Sequence, residues 1–214
     1  MQSECVNSQE AACHLEMIRT LMERTALYRR ALAPVMIAVG IIGCTAAGIG
    51  WEWLGDISAN TFVAYWLSVA LIVIAVVLGI IRRQALSDHE PFWSLPTRRV
   101  VESMLPSLLI GMFAAVMMSA LNTSGMSLVR WLPGIWMVQY GIALHGAGFF
   151  TLRGIRLFGC IVLSIGAGLL VFEMIQGPGH TSTQRLNAIM GFGFGLSHLA
   201  CGIYLILREK TARP

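Results

Sequence analysis

The chain has 214 residues, of which 56% are hydrophobic and only 12% charged, with a formal net charge of +4. A soluble domain carries about 25% charged residues, and here the charges stand in short blocks between long apolar runs, which a soluble core does not need. The basic excess sits at the ends of those runs, where it suits lipid headgroups and topology control rather than nucleic acid.

Residues 1–13 are polar. Over 14–30, Leu15, Ile18, Leu21, Met22 and Leu27 recur at helical spacing, with Glu16, Arg19, Glu23 and Arg24 largely on other faces. This reads as an amphipathic helix on the inner membrane surface, or as a solvated helix leading into the first span. No apolar stretch with a small-residue cleavage site precedes it, so the first span is expected to direct insertion. Six runs approach the roughly 20 apolar residues that cross the hydrocarbon: 32–51, 61–81, 100–121, 131–150, 156–175 and 186–207. The expected fold is an all-α bundle of six transmembrane helices (31–207) after a cytoplasmic segment (1–30) and before a cytoplasmic tail (208–214).

Pro34 and Pro133 fall in first turns, where a missing N–H costs little. Pro106 lies deeper in the third span and predicts a kink. Trp51, Trp53, Trp66, Trp131 and Trp136 lie at or near span ends, and several suit an interfacial aromatic belt. The longest connection, 82–99, reads RRQALSDHEPFWSLPTRR; Pro91 and Pro96 are expected to break any helix there, and Asp88, His89 and Glu90 read as a solvated turn. The segment QGPGHTSTQR, 176–185, reads as a flexible turn with His180 solvated. Met117 and Met118 read as gap-filling core.

Thirteen of the fifteen basic residues fall on one side of this topology, and only Arg130 and Arg185 on the other. Lys and Arg stay in the cytoplasm, so both termini are expected inside. Cys5 and Cys13 are then cytoplasmic, and Cys44, Cys160 and Cys201 intramembrane, so no disulfide is expected. The spacing of Cys5, Cys13 and His14 matches no metal-ligand set.

Ionisable groups inside a span are the strongest functional clue in such a chain, because burying them is costly. Glu102 and Glu173 fall near span ends, within reach of headgroups or water, and no Asp, Glu, Lys or Arg lies mid-span. That weakens a proton-pump or ion-coupled transporter reading. His145 and His198 remain, each on a glycine stripe: Gly141 and Gly148 around the first, Gly191, Gly195 and Gly202 around the second. Three readings stay open. The glycines allow close helix packing and each His bonds across an interface. Alternatively the two imidazoles bind a b-type haem axially, or they form a metal site or pH sensor. Tyr140 and Gln139 are expected on other faces of the fourth span. No phosphate-binding loop, nucleophile elbow, zinc-protease motif or paired-cysteine motif is present, so no catalytic residue and no metal ligand is assigned.

The stretches LEMIRTLMERT, LPGIWMVQYGIALHGAGFFTLRGIRLFG and GFGLSHLACGIYLILR resemble a group of small bacterial membrane proteins with six predicted spans and no assigned activity. The resemblance covers about half the chain by eye and rests on hydrophobic signatures. It implies membrane architecture, in a bacterial cytoplasmic (inner) membrane, and no catalytic residues. Three functions follow as expectations. The first is a non-enzymatic scaffold, sensor or subunit whose glycine faces meet a second copy or another membrane protein. The second is a haem-binding electron-transfer subunit using His145 and His198. The third is a small-solute permease. The partner common to all three is the lipid bilayer.

Overall fold

The computed structural model describes residues 32–55, 57–87, 92–93, 95–122, 128–151, 153–177 and 181–211. The expected amphipathic helix at 14–30, Cys5, Cys13, Asp88, His89, Glu90 and His180 lie outside the described residues. In hydrocarbon each backbone N–H and C=O must be satisfied within the chain, which favours helices over open strands. The fold is all-helical, with no strand among the described residues. The helices are α1 (Leu32–Glu52), α2 (Ala59–Ser87), α3 (Leu95–Leu121), α4 (Leu132–Ala147), α5 (Arg153–Gln176), α6 (Thr183–Met190) and α7 (Ser197–Thr211). The six residues Gly191–Leu196 form a π-helical segment that joins α6 to α7 without a break. Five stretches are long and apolar enough to cross a membrane: α1, α2, Thr97–Leu121, α5, and Thr183–Arg208, which runs through the π segment. The molecule is therefore a membrane-type helical bundle.

Three boundaries differ from the sequence reading. Most of the supposed loop 82–99 is helix: α2 continues to Ser87 and α3 begins at Leu95. Pro96 does not break a helix but sits in the first turn of one, where its missing N–H has no partner to lose. α3 likewise continues past Pro106. The segment 176–185 is shorter as a turn than expected. α5 stops just before Gly177, whose φ of +67° suits a residue without Cβ. α6 begins at Thr183, where the Ser182 hydroxyl caps it by accepting from the Arg185 N–H at 3.2 Å. α4 is 16 residues long, extended at its start by a 3₁₀ turn (Val129–Trp131) and beyond its end by turns at Gly148, Phe149 and Phe150.

Two antiparallel pairings hold the bundle together. α4 packs along α5, and α3 lies against α4. α1 packs against α6, the π segment and α7, with Gly43 on Gly195, Gly50 on Asn187, and Gly40 on Leu199. Phe62, Val63 and Trp66 at the start of α2 join Leu132, Leu186 and Met190 in one core cluster, and Met36, Met137, Leu144, Phe158 and Val162 form a second. Beyond Val69, α2 turns Leu71, Ile72, Ile74 and Leu78 outward, as α3 does Leu109, Ile110, Phe113 and Met117. Such faces are compatible with lipid. Met117 is thus not core filling, whereas Met118 packs against the first cluster.

Candidate functional site

His198 is fully buried. Its Nδ1 lies 2.6 Å from the Phe194 carbonyl oxygen and its Nε2 2.8 Å from the Tyr140 hydroxyl. The carbonyl can only accept, so Nδ1 carries the hydrogen. In a neutral ring Nε2 is then the acceptor, and Tyr140 donates to it. Phe158 meets the imidazole edge to face at 5.2 Å, and Phe194 stacks on it at 6.5 Å. Phe194 belongs to the π segment, where hydrogen bonds run from i to i+5 and displace the ordinary ladder. The ring of His198 thus serves a carbonyl in the turn where that ladder changes register. Tyr140 does leave the His145 face, as its spacing implies, and the face it occupies is the one that meets His198.

His145 looks elsewhere. Its Nδ1 lies 3.3 Å from Cys160 Sγ on α5, and Phe149 packs edge-on against its ring at 5.3 Å. The two histidines therefore face different neighbours. An axial haem ligand needs a bare nitrogen, and His198 has both nitrogens in hydrogen bonds. The residues as arranged do not fit a shared iron. Protein purified after expression with haem supply should give a flat visible spectrum, oxidised and reduced. A Soret band abolished by H198A and by H145A would overturn this assignment.

The glycines divide between the two helix pairings. A methyl group added at Gly141 would fall 2.6 Å from the Leu163 nitrogen, and one at Gly148 would fall 2.6 Å from the Arg156 nitrogen. Gly159 and Gly166 on α5 answer them, and Gly134 completes a heptad with Gly141 and Gly148. Sequence reasoning missed Gly134, Gly159 and Gly166, although their spacing of seven was in view. Gly191 faces Ala47, Gly195 faces Cys44, and Gly202 faces Ile37, all on α1. His198 does not share that stripe: Leu199 takes the position opposite Gly40, and the imidazole turns to α4 and α5. All five glycines singled out from the sequence lie against the chain's own helices. Among the described residues, no group of three or more His, Cys, Asp or Glu side chains is placed to hold a metal.

No protein-family model, curated protein or solved structure matches this chain. The geometry alone carries the functional argument.

Two polar clusters were not foreseen. Trp66 is not part of an aromatic belt; it is buried, and its indole N–H donates to Asn187 Oδ1 at 2.9 Å. Trp136 also turns inward, donating to the Gly111 carbonyl at 2.9 Å. An indole N–H out of water needs an acceptor, and both find one on a neighbouring helix. Trp51 and Trp53 remain exposed. Trp66→Phe should cost about 1–2 kcal/mol, read as a lower melting temperature in detergent, because a buried amide oxygen loses its donor; no change would mean that the bond contributes nothing.

The second cluster corrects the reading of Glu173. It is not open to water but 3% exposed, and its Oε1 accepts from Arg185 Nη2 at 2.7 Å. Arg130, also buried, donates from Nη1 to the Gly177 carbonyl at the end of α5. A cation at a helix C-terminus complements its dipole. The two basic residues that depart from the charge bias thus sit around the one buried carboxylate of the described residues. The cap at Ser182, which brings Arg185 into the first turn of α6, was the available signal.

Proposed function

We propose that the chain is a six-span protein of a bacterial inner membrane, with both ends cytoplasmic, and that it acts as a non-enzymatic scaffold or sensor subunit. The observation that carries the second part is the fate of the inward-facing polar side chains. His198 closes on Tyr140, Trp66 on Asn187, and Trp136 on Gly111. Groups paired between helices act as fasteners. A permease would instead keep inward polar groups able to exchange partners with a solute. Because the glycine faces are already covered within the chain, contact with a partner would run over other surfaces.

Six crossings are supported by the length of the α4 rod. Sixteen α-helical residues rise about 24 Å, and the three 3₁₀ residues add about 6 Å, close to the roughly 30 Å hydrocarbon. Orientation is supported by the basic residues at the end where α2 meets α3 and α4 meets α5, against an opposite end where Arg185 is ion-paired. In a background lacking the native cysteines, T181C should react with an impermeant maleimide on intact cells, and S87C only after permeabilisation. The reverse pattern would invert the topology. For the activity, purification in native nanodiscs should yield a defined complex, with itself or another membrane protein, and proteoliposomes should show no solute flux above protein-free vesicles. Flux of a small solute would displace the scaffold reading in favour of a permease.

A further inference from the structure

A shallow surface cleft, with no free room in this conformation, lies beside the Arg130–Glu173–Arg185 cluster, lined by Arg130, Trp131, Pro133, Leu170, Glu173 and Ile189 among others. Two of the lining residues hold a buried polar atom with no hydrogen-bond partner: Arg130 at Nε and Glu173 at Oε2. Among the described residues, the Arg130 guanidinium has the Gly177 carbonyl as its hydrogen-bond partner and the Trp131 ring 5.2 Å from its central carbon, and no carboxylate lies within ion-pair distance. A guanidinium taken from water without an anion is destabilising, as is a carboxylate oxygen without a donor. The cluster is incomplete in two complementary ways. Nε–H needs an acceptor, and Oε2 needs a donor.

A ligand that supplies both carries an oxyanion and an N–H cation. The rest of the lining says where such a ligand comes from. Pro133, Leu170 and Ile189 make one wall apolar, and Trp131 stands at the end of a helix, the level at which tryptophan meets headgroups. We propose that this cleft binds a phosphoethanolamine headgroup, with a phosphate oxygen accepting from Arg130 Nε and the ammonium donating to Glu173 Oε2. The apolar wall receives the start of the acyl chains. Both atoms lie beneath the cleft surface, so binding includes a rotation of these two side chains and an opening of the cleft. The inference rests on the membrane reading above, which the maleimide experiment tests separately.

The test uses the full chain in detergent and native mass spectrometry of the lipids it retains. The probes are phosphatidylethanolamine, its N-methyl and N,N-dimethyl forms, phosphatidylcholine and phosphatidylglycerol, all with the same acyl chains. Only the quaternary nitrogen of phosphatidylcholine lacks an N–H. Retention should therefore hold through two methylations and fall about tenfold at the third, the effect of one charge-assisted hydrogen bond. E173Q should remove that step, and R130Q should weaken all the phospholipids alike. Equal retention across the methylation series overturns the proposal in the wild-type protein, whether or not the variants fold. Displacement of the lipid by millimolar free phosphoethanolamine would also overturn it, assigning the cleft to a soluble zwitterion.

Discussion

Gly141→Val should separate α4 from α5 and cost about 3 kcal/mol or more, at the upper end of overpacking effects. The methyl groups have nowhere to go. Even the first carbon would lie 2.6 Å from the Leu163 nitrogen and 2.8 Å from the Gly159 carbonyl oxygen, both backbone atoms that no rotamer change can move. At about 2–4 °C per kcal/mol for a chain of this size, the melting temperature in detergent should fall by roughly 6–12 °C. Gly168, also on α5, has nothing within 4 Å of its added carbon. Gly168→Ala should leave stability within about 0.5 kcal/mol of wild type. Equal effects at the two positions would show that helix propensity, not interhelix contact, governs both.

His198→Leu is the second large change, with an expected loss of about 2–4 kcal/mol. It leaves the Tyr140 hydroxyl without an acceptor in a buried layer and the Phe194 carbonyl without the imidazole N–H. Tyr140→Phe removes only one of these bonds and should cost about 1 kcal/mol, in line with interhelical bonds in membranes. The double variant should cost about 1 kcal/mol less than the sum of the two, because the shared bond can be lost only once. Strict additivity in a thermal or denaturant series would mean that the two rings stabilise the bundle independently, whatever their distance.

The existence of the spans was legible because apolar runs of this length have few other uses. Their ends were less so. Pro96 and Ser182 are both helix-start signals, yet each lay in a polar segment and was read as loop. The glycines could be found by spacing, but spacing does not say which neighbour they meet; that is fixed by the antiparallel register of α4 with α5 and of α1 with α6 and α7. The two histidines illustrate the same limit. YGIALHGAGFFTLR and FGLSHLACGIYLILR look alike as strings, but one imidazole meets a thiol and the other a phenol and a carbonyl. Glu173 was misplaced for a different reason. Counting residues from a span end gives depth along the helix and says nothing about whether a neighbouring chain segment covers the side chain.

The π segment also sets how the gene can change. Elsewhere in a helix, losing one residue turns all that follows by about 100°. Gly191–Leu196 holds one residue more per hydrogen-bonded turn than an α-helix, so here a deletion would restore the regular ladder and leave α7 close to its present phase. His198 would still face Tyr140, and Leu199 and Gly202 would still face α1. These six residues are therefore the place where the last span can lose one residue and keep the faces that α7 presents to its neighbours.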